Sequence, residues 1–103
     1  MAQFDIHPNP SKAGRSHFPL VIILQSDVSI GRNSVVIAPI ARRIMADADD
    51  RAVIPIDVEG QPHVVMLHGL TAVPRHTLGK PVARAPELAQ RLPRAIDSLF
   101  LGI

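Results

Sequence analysis

The sequence predicts a mainly β protein with one α-helix at its carboxyl end, folded as a small, partly open antiparallel barrel or curled sheet. Three observations carry this. Ten prolines in 103 residues favour many turns and interrupted strands over long helices. Five to seven short apolar runs, punctuated by Pro and Gly, fill the first four fifths of the chain. After Pro86 the apolar period changes to a helical one.

Gln3 to Ile6 is the first strand candidate, closed by Pro8 and Pro10, and Asn9 to Ser16 reads as a loop rich in turn formers. Leu20-Val21-Ile22-Ile23-Leu24 is an unbroken apolar run with three β-branched residues, the composition of a strand buried on both faces. Gly31-Arg32-Asn33 is a turn signal. Val35 to Ile40 is the next run, and Pro39 is expected to limit its ladder bonding. Ala41 to Ala48 reads as one or two helical turns, with Ile40, Ile44 and Met45 on one face. Val53 to Val58 and His63 to Leu67 read as a hairpin with Glu59-Gly60-Gln61-Pro62 as its turn. Pro55 puts Val53–Val58 at an edge. Leu70 to Val73 is a further strand, and Leu78 to Ala83 a last irregular one. Leu88, Leu92, Ile96, Leu99, Phe100 and Ile103 then follow helical spacing. Pro93 inside that stretch predicts a kink or two helical pieces.

The length fits one domain over residues 1–103. Folding a chain of this size buries about 65% of its unfolded surface, enough for one core. There is no cysteine, which removes disulfides and thiolate metal sites. No membrane span and no signal peptide are recognisable, so the expected location is cytoplasmic. A net charge of +2 is too small to argue for nucleic acid. Charge is uneven, however: Arg75, Lys80, Arg84, Arg91 and Arg94 face a single acid, Glu87, in that part of the chain. Such a surface steers an acidic partner or simply keeps the protein soluble. Phe4, Phe18 and Phe100 are the only aromatics, so base-stacking platforms are scarce.

Signals for catalysis are weak. His63 and His68, five residues apart, fall on opposite faces of one strand and cannot share a metal without a bulge. Asp47, Asp49 and Asp50 lack the glycine-bearing frame of a calcium loop and read as a solvated loop. Ser26 beside Asp27 lacks a positioned base. No metal, no cofactor and no phosphate-cradling glycine loop is expected. A binding role is therefore favoured. The last residues, Leu101-Gly102-Ile103, are non-polar where chain ends are usually polar. They are either buried in the domain or held out for a partner.

The order of several segments resembles the CcdB family of bacterial toxins. Gln3-Phe4 matches its opening strand, and Leu24-Gln25-Ser26-Asp27 matches its Val-Gln-Ser-Asp. Arg32 with Val36-Ile37-Ala38-Pro39-Ile40 resembles its Arg-x-x-Val-Ile-Pro-Leu. Met66 through Ala72-Val73-Pro74 resembles its Met and Ser-Val-Pro, and Ala95 to Ile103 resembles its Ala-Ile-Asn-Leu-Met-Phe-Trp-Gly-Ile end. The resemblance implies a homodimer of Src-homology-3-like antiparallel barrels, each with a wing sheet and a C-terminal helix. It implies a non-enzymatic toxin of a type II toxin–antitoxin system, associated with plasmid maintenance, that binds the DNA gyrase A subunit and traps the gyrase–cleaved DNA complex. A CcdA-like antitoxin with an acidic disordered tail neutralises it, and operator DNA is met only through that antitoxin.

Carried over by position, the gyrase contact is Leu101, Gly102 and Ile103. The basic residues Arg75, Arg84, Arg91 and Arg94 fit the acidic tail. The chain departs from the family at Leu101, where the family has Trp. Leucine fills an apolar pocket but lacks the π face of a cation–π contact worth about 0.5–2 kcal/mol, a difference of roughly tenfold in binding. Two other readings follow. A messenger-RNA endoribonuclease on the same barrel would draw on Arg32, Arg42, Arg43 and His76. An inactive homologue would bind antitoxin only.

Overall fold

The structure, a computed structural model, describes residues 1–29, 33–43 and 50–102. Seven strands form one antiparallel sheet. They are β1 (Asp5–Pro8), β2 (Leu20–Ile23), β3 (Ser34–Arg42), β4 (Val53–Val58), β5 (Gln61–Met66), β6 (Thr71–Pro74) and β7 (Ala83–Arg84). The order is β4-β5-β3-β2-β1-β7, with β6 also paired to β3. Because β4 and β7 end the series without joining, the sheet is an open half-barrel. One helix, α1 (Leu92–Leu101), packs Leu92, Ile96 and Leu99 onto its core.

Strand β3 organises the sheet. One side pairs with β2 over Ile37 to Ile40, while the other serves two partners, β6 up to Ile37 and β5 from Ile40 onward. The expected interruption at Pro39 does not occur, and the hydrogen-bond directions explain why. Leu24 N–H donates to the Val36 carbonyl at 3.0 Å, so even-numbered residues of β3 face β2. Pro39 therefore directs its missing donor to the opposite side, into the gap between β5 and β6. Gly69, in the turn joining those two strands, lies so close to the Pro39 ring that a Cβ there would stand 2.6 Å from Cγ.

The apolar run at β2 is buried on both faces, as expected. Ile22 joins Ile6, Ile40, Ile54 and Val65 in the main core, while Val21 and Ile23 join Val35, Ile37 and Leu78 on the other face. Each such fully buried side chain contributes about 1.5–3 kcal/mol. The first strand begins at Asp5 rather than Gln3, because Phe4 takes a left-handed φ of 68° while its ring enters the core. Ala41 and Arg42, expected in a helical turn, instead extend β3 and pair with Val64 and His63. The rest of that expected turn, Ile44 to Ala48, lies outside the described residues, as do Gly31 and Arg32 of the expected turn before β3.

The β4–β5 hairpin turns on two residues, Glu59 and Gly60, at φ 52° and 79°. This turn is tighter than expected and places Gln61 and Pro62 in β5. β4 is an edge, as Pro55 predicts. The irregular strand expected over Leu78–Ala83 reduces to β7, with Leu78 buried as a loop residue.

The helical segment is in two pieces, a 3₁₀ turn over Pro86–Gln90 and then α1. Pro93 sits in the first turn of α1, where its missing N–H is not needed. The buried stripe stops at Leu99. Phe100, placed in it by sequence spacing, is 63% exposed, because it lies about 100° around the helix from Leu99.

Candidate functional site

Helical phase determines which residues of α1 face water. Ala95 is buried and Leu92, Ile96 and Leu99 are half-buried, one face of the helix. Phe100 and Leu101 fall off that face and are 63% and 67% exposed. Gly102 then takes φ 73°, and its N–H donates to the Ser98 carbonyl at 3.2 Å. A left-handed residue at this position is a common way to end a helix. Of the three residues assigned to a partner contact, Leu101 and Gly102 are therefore exposed on a fixed scaffold, and Ile103 lies outside the described residues.

The four arginines assigned to an acidic partner occupy three different places. Arg84 on β7 places Nε 3.0 Å from the Asp5 carboxylate, which is buried and also accepts from Ala2 N–H. Its charge is already engaged in tying β7 to β1. Arg75 opens the 3₁₀ turn Arg75–Thr77, with its backbone N–H on Asn33. Arg91 and Arg94 lie at the amino end of α1 and line a groove of about 420 Å³ against β4. Arg51, distant in sequence, joins them there. Sequence proximity alone gave no reason to group Arg51 with the helix. The edge position of β4 was the available hint.

Asp50, which also lines the groove, accepts a 2.6 Å hydrogen bond from His68 Nε2 and one from Ala52 N–H at 2.9 Å. The His68 bond chiefly, and then the Ala52 bond, hold its carboxyl below the usual carboxylate range. Sequence reading placed Asp50 in a solvated acidic loop and did not pair it with His68. Its neighbours Asp47 and Asp49 are outside the described residues. Among the described residues no group of three or more His, Asp or Glu side chains is placed to hold a metal, and no helix is long and apolar enough to cross a membrane.

The described residues of the ribonuclease reading lie apart. His76 borders a hollow with Asn33, Ser34, Ala72 and Pro74, beside the start of β3. Arg42 is at the other end of that nine-residue strand, about 26 Å away at the usual rise per residue. Arg43 follows Arg42, and Arg32 is outside the described residues. Among the described residues of this set, His76 and Arg42 therefore do not share a groove.

A search of curated proteins returns no significant match. Among solved structures, a chain described as "Crystal structure of Mtb toxin" superposes with a TM-score of 0.67, covering 82% of this chain and 97% of that one at 24% identity. At that identity the likeness speaks for the fold. The family model described as "CcdB protein" matches residues 3–102, and the chain belongs to the CcdB family.

Proposed function

We propose that the chain is the toxin of a type II toxin–antitoxin pair, acting in the cytoplasm as a homodimer. It binds the A subunit of DNA gyrase and traps the gyrase–cleaved DNA complex, and a CcdA-like antitoxin neutralises it. Family membership supports the toxin role. The observation that carries the mode of action is the exposed Leu101 on the last turn of α1, followed by Gly102 in a left-handed conformation. Apolar side chains held out on a rigid helix end are suited to insertion into a partner's pocket. Action by binding alone requires no catalytic group.

Removal of Leu101 to Ile103 tests this reading. Growth arrest on induced expression and gyrase-dependent DNA cleavage are both expected to disappear, with the fold retained. Unchanged toxicity would remove the proposed contact. The L101W variant restores the family's aromatic residue and is expected to strengthen cleavage-complex trapping by roughly tenfold, the scale of a cation–π contact. Expression of the intact chain that leaves growth untouched while antitoxin binds tightly would point to the inactive homologue.

A further inference from the structure

Arg51, Arg91 and Arg94 converge on one groove, and their side chains make no hydrogen bond or ion pair with the described residues. This contrasts with Arg84, which is paired to Asp5. Three cations close together repel one another unless an anion lies between them. Among the described residues lining the groove the one acid, Asp50, is taken up by His68. The rest of the lining is Gln90 and the less polar Val53, Ile54, Pro55 and Ala95. The groove is thus cationic, with apolar side chains from β4 and α1 between the arginines in its lining.

The β4 edge beside it is closed to strand addition. Leu67 N–H donates to the Ala52 carbonyl, so even-numbered residues here face inward, toward the β5 side. The odd-numbered residues 53, 55 and 57 face outward. Of these, Val53 spends its N–H on the Asp50 carbonyl at 3.1 Å, and Pro55 has none. An extended peptide would find acceptors and almost no donors along this edge, which prevents a ladder. Whatever docks must be held by its side chains. Carboxylates suit this best, since a guanidinium donates to both carboxylate oxygens in a fork. Nucleic acid suits it less well: no aromatic ring lines the groove for base stacking.

We propose that the groove between β4 and the amino end of α1 is the docking site for an acidic segment of a partner protein, gripped by Arg51, Arg91 and Arg94 through its carboxylates. The proposal deepens the antitoxin reading, on which only the source of that segment rests.

The test uses the full chain and a short fluorescein-labelled peptide alternating Glu and Leu, with anisotropy as the readout. Binding is expected to weaken as salt rises. R51E, R91E and R94E should each weaken it by roughly tenfold, the scale of a close charge pair. R94K should retain part of the affinity. K80E carries the same charge change at an exposed residue outside the groove lining and should leave binding within about twofold. Thermal unfolding of each variant checks that the fold persists. Equal losses in K80E, no loss in the three arginine variants, or tighter binding of a duplex or single-stranded oligonucleotide than of the peptide would each overturn the proposal. The two readings separate cleanly. Peptide binding by a protein that does not arrest growth would sink the toxin reading and keep the groove. Arrest relieved by an antitoxin equally well in R51E, R91E and R94E would do the reverse.

Discussion

At its amino end α1 is fastened to the body of the protein. Ala95 is buried, Leu88 of the preceding turn is 1% exposed, and Arg91 and Arg94 turn toward a groove. At its other end the same helix carries Phe100 and Leu101 into water. Hydropathy would rank these ends the other way round, with the arginines outside and the phenylalanine inside. Phase around the helix decides instead. A side chain one residue past Leu99 is turned about 100° from the core, and no other element covers it among the described residues. The two ends thus offer different chemistry, charge for an acidic partner at one and apolar surface at the other. A partner that covered Phe100 and Leu101 would recover about 1.5–3 kcal/mol for each.

The largest predicted effect separates fastening from display. Leu88→Ala removes a buried side chain of the main core and is expected to cost about 2–5 kcal/mol, with a fall in Tm of roughly 10 °C or more. Leu101→Ala should leave stability within about 0.5 kcal/mol while abolishing growth arrest. Calorimetry and induced expression on the two variants measure both halves. If Leu101→Ala melts as early as Leu88→Ala, the carboxyl end is packing and not display.

Gly102 sharpens the same comparison at smaller scale. Its φ of 73° is strained for any residue with a Cβ, while nothing lies within 4 Å of one built there. Gly102→Ala is therefore expected to cost about 1 kcal/mol through the backbone alone, read as faster amide exchange over the last turn. Gly60 is the matched control, with φ 79° and equally open surroundings in the β4–β5 turn. Gly60→Ala should carry a similar stability cost and leave growth arrest intact. Equal loss of arrest in both would mean that stability, and not the shape of the helix end, governs the activity.

The legibility of this chain in its sequence follows the range of the interactions. The β2 run, the Pro55 edge and the two-piece helical segment, which breaks just ahead of Pro93, are set by composition and local backbone chemistry, and they read correctly. Pro39 misled because proline's effect depends on which neighbour its missing donor faces, and that is a property of the sheet. Phe100 misled because a stripe defined at 3, 4 and 1 residue spacings spreads too far around a helix to be buried whole. The apolar Leu101-Gly102-Ile103 end stood out in the sequence, but burial and display were both open there, and it is helical phase that exposes Leu101. The grouping of Arg51 with Arg91 and Arg94 was not, since it arises only when β4 and α1 come side by side.

The smallest expected effect lies at Asp50, in the lining of the arginine groove. The Asp50 carboxyl is held low first by the His68 hydrogen bond and then by Ala52 N–H. A carboxyl whose folded value is depressed stabilises the fold above its ordinary value. That contribution falls away as pH drops through the ordinary range and is lost below the depressed value. The pair is partly exposed, so solvent screens it and Asp50→Asn should cost at most about 0.5 kcal/mol at neutral pH. Denaturant titrations of the wild type and D50N should converge as the solution is acidified below the carboxylate range. The same substitution removes the one negative side chain among the groove's described lining residues, so the acidic peptide should bind D50N slightly more tightly at neutral pH, within roughly threefold. The apolar end of α1 has no described titratable partner, so its part in growth arrest should not change with this substitution. A D50N protein that binds the peptide more weakly would show that Asp50 positions the groove's arginines, and that the amino end works by geometry as much as by charge.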